Sequence, residues 1–307
     1  VTTAGNYGYV GRLVVGFNAD GEVIEINQDF SGPVRIAGEG NPDAVLSSKR
    51  VEWFAIDPVV AYLEDLANDV LAVSAFDLDG RRSSVRSMES NEGNLIADSQ
   101  LWQAAQVASD FGLNPPDVAL QNGGGIRNDI IVPAGPLTSL IAWDMVPFPN
   151  FVSIVEDIPR EQFKEIMENT VACTQPDDFT ANANCGSGRF PQIAGFSFAW
   201  TPAGDGMIQD LDFNVLQPGT RVLEIVLDDG TVIVENGVVI PGPDLNIAIT
   251  DFLANGGDQY PFRGAPFTRL GVTYQQALAN FLVTGLGGEV NGPDYVFGVN
   301  NRIFELP

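Results

Sequence analysis

Histidine is missing from all 307 residues. Its absence rules out a Ser-His-Asp triad, a His-paired cysteine, and any zinc or dinuclear centre that needs imidazole ligands. Carboxylates alone could still hold Mg²⁺ or Ca²⁺. Positive charge is scarce: 15 Lys and Arg stand against 40 Asp and Glu, for a net charge of −25. A field of that sign repels nucleic acid and anionic membrane surfaces. An anionic substrate would need a local basic pocket, so each arginine beside a glycine loop gains weight. There is no P-loop with its lysine, no repeat and no low-complexity tract. No apolar run is long enough to span a bilayer. No signal peptide opens the chain, which starts at Val1 and is expected to be a processed protein or an excised fragment.

Cysteine is nearly absent too. Cys173 and Cys185 bracket one polar, Asn/Asp-rich segment. A disulfide there would contribute roughly 3 kcal/mol in the chain-entropy picture and would imply an oxidising compartment. Two free surface thiols are the alternative. Two cysteines without histidine are too few ligands for a zinc site.

Hydrophobic residues make up 45% of the chain, ample for a core in one large domain or two. The first fifty residues read as β: Tyr9 to Phe17 and Val23 to Ile26 flank the turn Asn18-Ala19-Asp20-Gly21, followed by connecting chain. Asp57-Pro58 predicts a helix start, with Val59, Leu63, Leu66 and Val70 forming a stripe for core packing. A helix is expected from Asn94 to about Phe111, stopped by Gly112 and Pro115-Pro116. A short helix is expected from Gly135 to Trp143, and an amphipathic one from Arg160 to Ala172. Strands are expected at Val118, Phe151 to Glu156, Phe196 to Trp200, Leu211 to Leu216, Val222 to Leu227, Thr231 to Val234 and Leu245 to Ile249. Tyr274 to Val283 reads as the last helix.

Two of these strands run into glycine-rich loops that carry polar side chains: Asn122-Gly123-Gly124-Gly125-Ile126-Arg127, and Phe252 through Asp258. Successive glycines cost ordering entropy, but they give a backbone without Cβ atoms that a ligand can approach closely. Arg127 adds a rigid fork suited to phosphate or carboxylate. Phe148 and Phe252 sit beside turn residues, outside regular apolar periodicity. Each alone could plug a core edge; together they suggest a flat slot for an aromatic base. Asp258 could accept from ribose hydroxyls, and Arg86 with Arg127 could neutralise phosphate. This set supplies no nucleophile and no activated water, so no catalytic residue is assigned and the reading is a binding site.

These stretches resemble the C-terminal domain of the 5′-nucleotidase family, which includes ecto-5′-nucleotidases and periplasmic UDP-sugar hydrolases. The resemblance rests on Arg86 and Glu89 with Gly93 to Asp98, on Asn122 to Arg127, on Val146 to Asn150, on Gly188 to Gly195 and on Phe252 to Asp258. They stand in the family's order over roughly residues 56 to 262. Ala4 to Gly8 and Val10 to Arg12 resemble the tail of the family's preceding metallophosphoesterase domain. The resemblance implies an α+β fold, a mixed sheet with packed helices, plus an N-terminal β-hairpin remnant. It divides the chain into 1–55, tail and linker, and 56–307, the substrate-binding domain. It implies that Arg86 and Arg127 hold phosphate, that Asn122 and Asp258 bond the nucleoside, that Gly124 lines the site, and that Phe148 and Phe252 sandwich the base. Where the family continues with glycine after this phenylalanine, the present chain has Pro149. No metal site is implied in this chain. The family's two divalent metals sit on Asp, His and Asn ligands of the N-terminal metallophosphoesterase domain, which would be the partner in the same protein. A nucleotide or nucleoside is the expected small-molecule partner, and nucleic acid is not. A secreted, periplasmic or cell-surface location is expected. The scaffold also serves UDP-sugars, cyclic nucleotides and a thioester-like sulfur substrate. From another class, a non-catalytic extracellular module could use Asp177-Asp178 or Asp228-Asp229 for Ca²⁺, or these could be solvated turns. Residues after about 262 match no motif.

Overall fold

The computed structural model describes residues 8–38, 40–44, 47–182 and 184–307. Ala4, Gly5, Asn6 and Tyr7, which count toward the resemblance above, lie outside them. Two compact units divide at Glu64 and Asp65, inside a helix and a little after the boundary at 55 and 56 that the resemblance implies.

In the first unit Val15–Phe17 pairs with Val23–Ile26 as an antiparallel hairpin. Asn18 closes its turn by accepting the N–H groups of Asp20 and Glu22. Tyr9–Arg12 pairs with Gly32–Arg35, a strand in the stretch expected to be connecting chain. The helix begins at Lys49, earlier than Asp57. A π-helical turn, Glu52–Ile56, leads from Lys49–Val51 into Asp57–Asn68. Pro58 has no N–H and its ring crowds the preceding turn, and the widened π turn directly before it accommodates that. The expected core stripe is not buried: Val59 is 56% exposed, Leu63 41% and Val70 53%. Trp53 and Phe54 are more exposed still, and Ala37 is the one buried apolar residue of this unit among the described residues.

The second unit is built on a five-stranded mixed sheet in the order Pro191–Ala194, Val118–Asn122, Leu245–Thr250, Phe151–Ile158 and Phe267–Thr273. The Val118 and Leu245 strands run parallel, and the other neighbours are antiparallel. Both faces are covered, so the strands read as continuous apolar runs. Alternate side chains enter two cores. Ala119, Ala194 and Ala248 face one core with the Asn91–Val107 helix, and their small size lets that helix lie close across the strands. Val118, Leu120, Ile193, Ile247 and Ile249 face the other, shared with the Arg160–Thr170 helix and a second sheet. That sheet runs Val238–Val239, Val232–Glu235, Val222–Leu227, Phe196–Trp200 and Ile303–Glu305.

The chain is thus α+β, with mixed sheets and packed helices. Three local expectations change. Gly135–Thr138 is a strand paired with Val70–Ser74, and the helix starts only at Ser139, where the Thr138 hydroxyl accepts the Ile141 N–H. Leu211 is 75% exposed, and Asp210 folds that stretch into a turn by accepting the N–H groups of Asp212 and Asn214, leaving only Val215–Gln217 as strand. Residues after 262 are integral, giving the sheet its Phe267 edge strand and packing the Tyr274–Asn280 helix on the Asn91–Val107 helix.

Enlarging a sheet alanine tests this packing. Ala248→Leu is expected to lower stability by about 1–3 kcal/mol through overpacking, read from urea unfolding. An unchanged midpoint would show that the helix does not press on that face.

Candidate functional site

A cavity of about 560 Å³ opens where the Val118 and Leu245 strands end. Arg86, Asn122, Gly124, Arg127, Phe148, Phe252 and Asp258 all line it. The structure therefore brings together the seven residues expected to bind substrate. It adds Arg82, Asn150, Phe179 and Ser187.

The glycine corner exists because backbones meet there. None of its three glycines has positive φ. A Cβ on Gly123 would strike the Val85 carbonyl, and one on Gly125 would strike the Gln121 amide. One on Gly124 would sit 3.0 Å from the Gly188 carbonyl. The Gly123 N–H donates to the Phe190 carbonyl at 2.7 Å, tying the corner to the chain opposite. The glycines thus serve the protein's own close packing.

Asn122 Nδ2 donates to Asp258 Oδ2 at 2.6 Å, so the two strand-end loops are joined across the cavity floor. Asp258 adopts a left-handed conformation, φ 50° and ψ 27°, within its glycine-rich loop. A Cβ on Gly257 would overlap the Phe252 ring, so that glycine lets the ring lie against its own loop. Phe148 and Phe252 remain 40% and 45% exposed, an unusual condition for phenylalanine at a cavity wall. The Phe148 backbone is pinned by the Tyr274 hydroxyl, which accepts its N–H at 2.9 Å, and by Gln275, which donates to its carbonyl.

Arg82, Arg86 and Arg127 converge here, none of them in an ion pair among the described residues. The Arg127 guanidinium lies 5.6 Å above the Phe148 ring. Arg86 Nε is buried and unbonded. Burial pushes the Arg86 pKa down, and its neighbours Arg82 and Arg127 push it further, against the opposing pull of Asp258 and Asp129. A cation in that position favours an arriving anion.

Buried Arg189 holds the walls together. It donates to Asn169 Oδ1, to the carbonyls of Asn184 and Gly186, and to Gln259 Oε1. This links the loop closed by the Cys173–Cys185 disulfide to the Asp258 loop. Desolvation lowers the Arg189 pKa, offset by Asp258 and Tyr260. Phe179 rides on the same disulfide loop, 48% exposed. The sequence held a signal for Arg82, four residues before Arg86, and for Gly188, inside a motif. It held none for Phe179, whose place depends on how the loop folds. Asp178 is no calcium ligand candidate, because its carboxylate is taken by Arg221 at 2.8 Å in a buried ion pair.

A family model described as 5′-nucleotidase, C-terminal domain, matches residues 67–264. The trifunctional nucleotide phosphoesterase protein YfkN of Bacillus subtilis is 31% identical over 265 residues, covering 85% of this chain and 15% of that one. Protein UshA of Salmonella pullorum is 29% identical over 184 residues, covering 60% of this chain and 25% of that one. The crystal structure of a 5′-nucleotidase precursor from Thermus thermophilus superposes with a TM-score of 0.60 at 25% identity, over 98% of this chain and 50% of that one. The chain thus spans half or less of the length of each.

Removing the guanidinium that ties the two loops is expected to loosen both. Arg189→Ala should lower stability by about 2–3 kcal/mol, since charged hydrogen bonds are lost and acceptors are left buried. Limited proteolysis should then cut between Cys173 and Cys185 faster than in the parent. Equal cutting rates would remove Arg189 from this role.

Proposed function

The chain belongs to the 5′-nucleotidase C-terminal domain family, and on that premise we propose that its cavity binds a nucleoside 5′-phosphate. Arg86 and Arg127 hold the phosphate. Asn122 and Asp258 bond the nucleoside, Gly124 keeps the floor open, and Phe148 and Phe252 take the base between them. The observation that carries this reading is the trio of arginines outside any ion pair among the described residues, in a chain of net charge −25. Their neighbours in the cavity are half-exposed aromatic rings, which suit a flat ligand with an anionic end.

Hydrolysis is assigned to a metallophosphoesterase domain of the same protein, with residues 1–55 as its tail and 56–307 as the nucleotide-binding domain. The exposed apolar side chains of the first unit, Phe17, Ile24, Trp53 and Phe54 among them, support a missing apolar partner for it. The two divalent metals belong to that domain. Residues of the present chain do not fit such a centre: histidine is absent, and among the described residues no three Asp, Glu or Cys side chains gather to hold an ion. The disulfide supports a secreted, periplasmic or cell-surface location. No helix among the described residues is long and apolar enough to cross a membrane. A second reading, a nucleoside diphosphate such as a UDP-sugar, is favoured by Arg82, which extends the cationic row beyond one phosphate.

Calorimetry with AMP, adenosine and UDP-glucose tests the site. Arg127→Ala should weaken AMP binding about tenfold or more, as expected for loss of a charge-assisted bond. Phe148→Ala should weaken AMP and adenosine alike, by the about 1–3 kcal/mol of base stacking. Binding of none of the three, with no effect of Phe148→Ala, would refute the slot. The chain alone is expected to release no phosphate from AMP with added Mn²⁺ or Zn²⁺; release that persists in Arg127→Ala would overturn that.

A further inference from the structure

Beneath the arginine corner, two buried oxygen atoms have no hydrogen-bond donor among the described residues. Glu92 lies in the first turn of the Asn91–Val107 helix and is fully buried. Its Oε2 accepts from Asn128 Nδ2 at 3.0 Å. Its Oε1 has no partner, and neither has Asn128 Oδ1. Both crowd the same side of Gly80: an added Cβ there would strike the two oxygens and would meet Asn128 Nδ2 at 2.6 Å. The two unmatched oxygens thus lie near one point, beside the Asn128–Glu92 hydrogen bond.

An ionised carboxylate only accepts, so it can match the amide N–H but never the amide oxygen. Turning the amide over merely changes which oxygen is unmatched. One proton on Glu92 Oε1 satisfies the set, with Oε1–H donating to Asn128 Oδ1 while Nδ2–H donates to Oε2. We propose that Glu92 is kept as a neutral carboxylic acid in a cyclic pair with Asn128, and that this pair is the positioning element for the corner carrying Arg127.

The surroundings agree. Burial raises the Glu92 carboxyl to about 8, and Asp79 adds repulsion, against the smaller opposing effect of the Asn128 bond. Asp79 itself is paired with Arg81. Glu89, three residues earlier, accepts from Asn94 and from the N–H groups of Asn301, Arg302 and Ile303. Arg127 and Asp129 flank Asn128, and Asp129 Oδ1 accepts the Arg82 N–H at 2.7 Å. Fixing Asn128 thus fixes two of the three cavity arginines relative to each other.

The pH consequence has one sign. A carboxyl whose folded pKa exceeds its unfolded value contributes stability that is whole below the unfolded value near 4.5, declines as pH rises above it, and is lost once pH passes about 8. The background is clean: there is no histidine, and both cysteines are in the disulfide. No ordinary side chain then titrates between about pH 6 and about pH 9. Asp228 is raised by burial too, with Arg302 pulling back and Asp98, Asp294 and Asp229 pushing the same way as burial.

Melting curves against pH for the parent and for Glu92→Gln test the pair, because glutamine reproduces the donor and acceptor of the acid. Across the clean range the parent Tm should fall from about pH 6 to about pH 8 and level off above it, whereas Glu92→Gln should stay level throughout and melt above the parent at the high end. A level parent profile, or a Gln variant that fails to fold or melts lower at every pH, would overturn the proposal. Carbon-13 NMR of the parent carboxyls adds a check without mutation. One glutamate titrating near neutral or above is expected, and all glutamates ionised at about pH 6 would overturn it. AMP affinity should follow the parent Tm downward with pH. This arm alone rests on the nucleotide reading; absence of binding at every pH would sink that reading and leave the melting arm to decide the pair.

Discussion

Three arginines held together outside any ion pair among the described residues are the constraint on which the second unit depends. Several other arginines are ion-paired, Arg81 with Asp79, Arg221 with Asp178, Arg302 with Asp98 and Arg269 with Asp251, while buried Arg160 and Arg189 donate to carbonyl and amide oxygens. Among the described residues the guanidinium groups of Arg82, Arg86 and Arg127 have neither kind of partner. Arg82 and Arg86 leave a turn packed on the glycine corner, and Arg127 leaves the corner itself. Two carboxylates close by are occupied, Asp258 by Asn122 and Asp129 by the Arg82 backbone. Leaving like charges together in a partly desolvated site is unfavourable by itself, and such arrangements are associated with function.

The fold positions this cluster by simple means. A sheet buried on both faces brings the parallel Val118 and Leu245 strands to the same end. Their loops turn over each other and bond through Asn122 and Asp258. Small side chains on one face admit the Asn91–Val107 helix, and large ones on the other fill the space before the second sheet. Gln192 then ties down the turn that carries Arg86, donating to the carbonyls of Val85 and Met88. Arg189 does the same for the disulfide loop.

Much of the site was legible because it lies in short contiguous motifs. A glycine run after an apolar strand, and phenylalanines beside prolines or glycines, stand out against ordinary periodicity. The disulfide was legible as one of two readings of cysteines that bracket a polar segment, and the structure contains it. Other features depend on distant partners. The Val59 and Leu63 stripe has helical spacing, but spacing does not say whether anything covers it, and both residues are exposed. Pro58 reads as a helix start, yet a π turn carries the helix through it. Gly135–Thr138 became a strand because Val70–Ser74 lies alongside. Glu92 looked like one more acidic residue in a first helical turn, and only its burial against Asn128 sets it apart.

The most direct test of the central claim is a crystal structure of this chain with a nucleoside 5′-monophosphate. The phosphate is predicted against the guanidinium groups of Arg86 and Arg127, with the base between Phe148 and Phe252. A nucleotide seated elsewhere, or a phosphate pointing away from all three arginines, would contradict the account.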